Sequence, residues 1–349
     1  MSVELSKPGI ATETRPVSVC RDACERLARL IASQPIPADR EDSSLQGFSR
    51  LSAGNFYLWL VAICHQTSPL GRLPLVGTVN GTRLRGWDYL AAKFENSVRA
   101  DWRILQPSVW SKTSATQLTE MFRDQELGDR LTDVEGRADL IRNLGTMMIR
   151  NDWNHLEDLY RLSQTKIASG TPNLLGLLST FRAYSDPVHK KSYFLLGLMR
   201  NSGYWTYADP ELLGAPVDYH EVRGHLRIGT VLIADQELRR KLLSGIPVTN
   251  EEDIAIRRAV HDAIMLISDL SELRNPSQLH YLFWNVFRSC CTRESPHCLG
   301  CPSDCALPDR YVPLAIHPSG KRRCPFSDEC KSAGRDPKYL EHVFETEYY

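Results

Sequence analysis

Two kinds of residue in this 349-residue chain carry obvious chemistry: a crowd of thiols, and a few charged groups at helix starts. Seven of the ten cysteines fall in the last 60 residues: Cys290, Cys291, Cys298, Cys301, Cys305, Cys324 and Cys330. Thiols gathered at one end of a chain whose first residues do not read as a secretory signal point to a metal or cluster site rather than to disulfides. Four thiolates suit an iron–sulfur cluster, and they suit zinc as well. Asp218 follows Gly214-Ala215-Pro216 at a predicted helix start. Its type and place allow a plain N-cap; they equally allow a carboxylate that stabilises a developing cation or activates water. Lys190 and Lys191 open another predicted helix after Asp186-Pro187. An amine there becomes a nucleophile if it is desolvated or has a cation beside it; exposed, the pair would only touch phosphate.

The string Val217-Asp218-Tyr219-His220-Glu221-Val222-Arg223, with Arg227 and Gly229 beyond it, resembles the helix-hairpin-helix DNA glycosylase superfamily. The cysteine run Cys291-x6-Cys298-x2-Cys301, with Cys324-x5-Cys330, is similar to the cluster loop of its endonuclease III branch, interrupted over about residues 302–323. The Lys190-Lys191-Ser192 region looks nearest to the archaeal 8-oxoguanine glycosylase branch. Over residues 52–335 the order also matches: Gln66, then the lysines, then Asp218, then the cysteines. The resemblance implies an all-α, two-lobed helix-hairpin-helix glycosylase-like fold with a small β-hairpin and a C-terminal Cys-rich metal loop. It implies Asp218 as the catalytic carboxylate and Lys191 as the Schiff-base nucleophile, with Lys190 as the alternative register. Gln66, Lys190, His220, Arg223 and Arg227 would contact substrate or DNA. A [4Fe–4S] cluster would be held by Cys291, Cys298, Cys301 and Cys330, with Cys324 and Cys305 as alternates and zinc as the alternative occupant. The implied reaction extrudes a modified base from a DNA duplex and cleaves its N-glycosidic bond, with strand nicking if a lysine attacks. One departure stands out. Val188-His189 occupy the place where the superfamily's hairpin has glycines, which let backbone amides approach a phosphate. Two rivals therefore stay open: a non-catalytic iron–sulfur nucleic-acid-binding protein, and an N-glycosidase acting on a modified nucleoside, nucleotide or RNA base.

The elements that must position these residues read as mostly helical. Segments 18–32, 52–66, 87–98, 114–123, 136–149, 154–163, 173–183, 189–201, 219–229, 234–243, 250–271 and 277–289 carry helical periodicity between Gly and Pro breaks. The segment starting near Ser52 is nearly all apolar and reads as a central buried helix. Asn80-Gly81 between two extended runs marks a hairpin over 74–85. Beside it, Arg83, Arg85 and Trp87 are candidates for nucleic-acid contact, with core packing the plainer reading of Trp87. Cys20 and Cys24 read as packing residues. Three divisions are expected: a tail and helix over 1–50 with residues 1–15 polar, a two-lobed helical domain over 51–289, and a Cys-rich loop and tail over 290–349. The chain carries 42 basic and 42 acidic residues, so no sequence-wide charge drives it onto nucleic acid; any phosphate site must come from local placement. No apolar run spans a bilayer. An intracellular monomer in the cytoplasm or nucleoid, with DNA as its partner and no membrane, is expected.

Overall fold

The structure is a computed structural model and describes residues 16–38, 45–68, 70–273, 275–301 and 306–349. The polar tail 1–15 and Cys305 lie outside the described residues. In chain order the elements are β1 (Val17–Val19), α1 (Arg21–Ala32), α2 (Arg50–Ala62), β2 (Val76–Val79), β3 (Thr82–Arg85), α3 (Gly86–Ala100), α4 (Pro107–Trp110), α5 (Ala115–Phe122), α6 (Val134–Arg150), α7 (Leu156–Leu162), α8 (Leu174–Leu178), α9 (Lys190–Asn201), α10 (Tyr219–Ile228), β4 (Val231–Ile233), α11 (Gln236–Ser244), α12 (Asn250–Leu270) and α13 (Pro276–Ser289).

Local chemistry sets most of these boundaries. Ser49, Ser114, Asp235 and Thr249 each accept a backbone N–H at a helix start. Asn80 and Gly81 take positive φ, as a two-residue hairpin turn demands, and Val76–Val79 pairs antiparallel with Thr82–Arg85. The segment expected as one helix over 173–183 is instead α8 followed by a 3-10 turn at Arg182–Tyr184. The Ser179 hydroxyl donates to the Gly176 carbonyl and the Thr180 hydroxyl to that of Leu177, so side chains compete with the helical ladder where it ends.

The buried side chains form two cores. One gathers residues of α2 through α9, from Leu45 to Leu213, around α2, whose residues 53–62 are all buried. The second joins β1 and α1 to α10 through α13 and to the Cys-rich segment as far as Phe326. β1, α1 and the Cys-rich segment as far as Phe326 thus share a core with residues 215–289, whereas Leu45 packs in the first core. β1 pairs antiparallel with β4, Val17 opposite Ile233, which fastens the start of the described chain to this second lobe. A terminal segment then crosses from one lobe to the other. The Leu340 N–H donates to Leu242, Val343 accepts from the Val248 N–H, and the Tyr349 carbonyl accepts from the Gln66 N–H. No described helix is long and apolar enough to cross a membrane.

Candidate functional site

Between the lobes lies a cavity of about 280 Å³. Its first wall comes from the first lobe: Cys64 after α2, Arg85 and Trp87 at the hairpin, and Lys190 and Phe194 of α9. The facing wall is Asp218, Tyr219 and His220 of α10 with His280, Tyr281 and Trp284 of α13. Trp87 meets Phe194 edge-on at 4.7 Å between ring centroids, and the Arg288 guanidinium stacks 4.1 Å from the Trp284 centroid. Aromatic faces with a few convergent polar groups make a site for a flat, polar ligand. Trp87 and Arg85 thus reach the cavity, whereas Arg83 is exposed and lines none of it.

Asp218 does two jobs with its two oxygens. Oδ1 accepts the backbone N–H of His220 at 2.7 Å and of Glu221 at 3.3 Å, the N-cap that the sequence allows. Oδ2 accepts the indole N–H of Trp284 at 3.1 Å on the cavity side. Glu221 closes the capping box by accepting from the Asp218 N–H. The approach of α10 to α13 depends on Gly224. A Cβ there would lie 2.3 Å from the Phe287 ring, so only glycine lets α13 come close enough to bring Trp284 onto Asp218. His220 is held neutral, its pKa pushed far down by burial and by the cations Arg223, Arg293 and Arg288. Arg223 donates to His220 Nδ1 at 2.8 Å, so the imidazole proton sits on Nε2.

The two adjacent lysines part company. Lys190 lines the cavity, its Nζ 3.6 Å from Cys64 Sγ and 5.1 Å from the Phe194 ring centroid. Lys191, the residue the resemblance favours as nucleophile, is not among the lining residues; it is fully buried. Its Nζ donates to the Ala62 carbonyl at 2.5 Å and stands 3.4 Å from His65 Nδ1. Arg137, also fully buried, donates to the carbonyls of Ile63 and His65. Together they satisfy carbonyls that the buried C-terminus of α2 would otherwise leave orphaned, and the charge of Arg137 suits that end of the helix dipole. Burial, reinforced by Lys190 and Arg137, pushes the Lys191 amine down to about 7 against the pull of Cys64. A helical pattern cannot say which of two neighbouring lysines faces inward and which faces a cavity.

The turn before α9 is closed on itself. The Asp186 carboxylate accepts the N–H groups of Val188 (3.0 Å) and Lys190 (2.9 Å), and its carbonyl accepts that of His189. Arg257 holds the same carboxylate with two bonds of 2.9 and 3.0 Å and also binds Asp253. His342 and Tyr349 complete this buried network on Asp253. Three amides that could face a phosphate are therefore already committed to Asp186.

The other expected contact residues serve the fold. Arg223 donates to the Cys291 and Phe287 carbonyls and to Glu341, and Arg227 to the carbonyls of Tyr339, Thr292 and Arg293. Both are 1% exposed, because each braces the Cys-rich segment against α10; Arg223 reaches the cavity edge and Arg227 does not. The Gln66 side-chain amide donates to Phe344 and Tyr349 carbonyls and lies outside the cavity lining. Sequence reasoning missed His280, Tyr281, Trp284 and Tyr349, four cavity residues. The first three sit on a helix whose apolar pattern reads as core; their only signal is an excess of polar-tipped aromatics.

Cys290, Cys291, Cys298, Cys324 and Cys330 line one small void with Phe287 and Phe326. Three of the four thiols first expected as ligands are there, together with the alternate Cys324 and with Cys290, and Cys301 is not. Arg227 Nη1 lies 3.3 Å from Cys291 Sγ, and Cys330 Sγ donates to the Arg227 carbonyl. Burial and the neighbouring thiols push the Cys324 thiol far up; burial brings Cys330 to about 11. Among the described residues, no three His, Cys, Asp or Glu side chains converge as ligands of one metal ion. The donor chemistry, five soft sulfurs around one void, nevertheless fits a thiolate-bound group. Compared with known proteins, the chain matches no family model and no curated protein.

Proposed function

We propose that the protein cleaves the N-glycosidic bond of a modified base, in the manner of a helix-hairpin-helix DNA glycosylase. The observation that carries this reading is the convergence of Asp218 Oδ2 and Lys190 on one aromatic-walled cavity between two lobes. A base enters between Trp87, Phe194 and Trp284. The Asp218 carboxylate, aimed by the Trp284 indole, stabilises the cation that develops on the sugar as the bond breaks. Lys190, not Lys191, supplies the amine that attacks C1′, which would make the enzyme a lyase as well. Cys291, Cys298, Cys324 and Cys330 would hold a [4Fe–4S] cluster. Bound there, it would order the segment that Arg223 and Arg227 brace, and no step of the reaction passes through it.

The substrate implied by the resemblance is a duplex carrying a modified base. A second reading, a modified nucleoside, nucleotide or RNA base, is favoured by the turn amides committed to Asp186, since a duplex backbone then loses its usual grip. Borohydride trapping on lesion duplexes, and base release from the same bases as free nucleosides and nucleotides, separate the two. The expected result is an adduct or base release that Asp218→Asn reduces at least about 100-fold. A folded Asp218→Asn protein with undiminished base release would sink the assignment. A trapped adduct that survives Lys190→Gln would remove Lys190 from its role.

A further inference from the structure

The leaving base needs a proton, and the cavity contains a group placed to give one. His280 of α13 lines the cavity facing α10, and its Nδ1 lies 2.8 Å from Glu221 Oε1. Glu221 is fully buried, and its other oxygen accepts the Asp218 N–H at 3.1 Å. One carboxylate therefore closes the helix cap under Asp218 and orients an imidazole beside it. With Nδ1 taken by Glu221, Nε2 is the ring nitrogen left toward the cavity. This histidine–carboxylate pair has the geometry by which a third group aims an acid or base. His220, the other imidazole in the wall, has Nδ1 occupied by Arg223 and stays neutral, so it offers a hydrogen bond and not a proton.

Resting on the N-glycosidase reading, we infer that His280 is the general acid that protonates the departing base, with Glu221 as its positioning residue. The C1′–N bond breaks with its electron pair going to the base nitrogen, and His280 Nε2 delivers a proton there. The new bond to C1′ comes from the Lys190 amine or from water. The surplus proton of that nucleophile returns to His280 Nε2. The substrate class follows from this chemistry: neutral bases, poor leaving groups without a proton, are the ones that this acid serves.

Leaving-group dependence tests the pair. Release of hypoxanthine, a neutral base, and of N7-methylguanine, which already carries positive charge and needs no proton, is measured from duplexes and from the free nucleosides. His280→Asn is expected to slow hypoxanthine release about 100-fold or more and N7-methylguanine release less than about threefold. Glu221→Gln leaves one oxygen to accept the Asp218 N–H and turns an NH2 toward Nδ1, so it removes both the charge and the acceptor that aims the ring. It should produce the same selectivity at about tenfold, and it stands in should His280→Asn not fold. Equal slowing of both bases by the variants, with the wild type active, overturns the acid role alone. Wild-type protein that releases neither base from any of these substrates overturns the glycosidase reading, and the inference with it.

Discussion

Lys191 offers a sharp test of how the two adjacent lysines divide their work. The amine falls from an ordinary 10.5 to about 7 because the fold strips it of water without giving it a carboxylate. Between those values the unfolded chain holds a proton that the folded chain does not. Stability therefore rises with pH across that window, is complete above the unfolded value and is lost as pH falls toward 7. From pH 7 to pH 9 the linkage amounts to about 2 kcal/mol. Lys191→Met keeps the apolar stem and removes the titration. It also deprives the buried Ala62 carbonyl of its donor, at a cost of about 1–3 kcal/mol that is the same at both pH values. Urea unfolding of both proteins at pH 7 and pH 9, under anaerobic reducing conditions, isolates the effect, because every other titrating group cancels between them. The wild type should gain about 2 kcal/mol more than the variant on going to pH 9. Identical pH dependence in the two proteins would mean that the amine keeps its proton inside the fold, and the reasoning from burial would fail.

Arg257→Met would leave Asp186 and Asp253 buried without their shared cation, with an expected loss of about 3–5 kcal/mol by thermal or denaturant unfolding. A change below about 1 kcal/mol would contradict the buried network. Gly224→Ala drives a methyl into the Phe287 ring and should cost about 1–3 kcal/mol, visible in the same unfolding curves. Among the thiols, Cys324→Ala should lower bound iron and its charge-transfer absorbance, whereas Cys301→Ala should leave both near wild type. The reverse pattern would return the ligand set to the spacing of the sequence.

What the sequence reveals here is what is decided locally. Ser49, Ser114 and Thr249 cap their helices through bonds three residues long, and Asn80-Gly81 turns its hairpin by its own φ preferences. The apolar run of α2 announces its burial. Partners distant in sequence are not legible in this way. Arg223 and Arg227 have the charge and spacing of phosphate ligands, yet Glu341 and the carbonyls of residues 291–293 claim them from about 65–118 positions away. The catalytic reading of Asp218 and its capping reading are likewise not alternatives once Trp284, 66 residues on, takes the second oxygen. Periodicity places Lys190 and Lys191 on one helix start but cannot tell a cavity from a helix end lying beneath it.

The pairing of Val17–Val19 with Val231–Ile233 has a consequence for how the molecule is assembled. The lobe from Leu45 to Leu213 is one uninterrupted stretch, able to collapse as soon as it leaves the ribosome. The other lobe is split around it: β1 and α1 are made early and find their partners, β4 and α12, only after some 200 more residues have been synthesised. Such a distant closure is slow, and meanwhile the apolar face of α1, with Leu27 and Ile31, has nothing to cover it. The cavity lies on the seam between the early unit and the late one. Activity should therefore appear as the final event of folding, and a chain stalled before α13 would hold a finished lobe with only half a site.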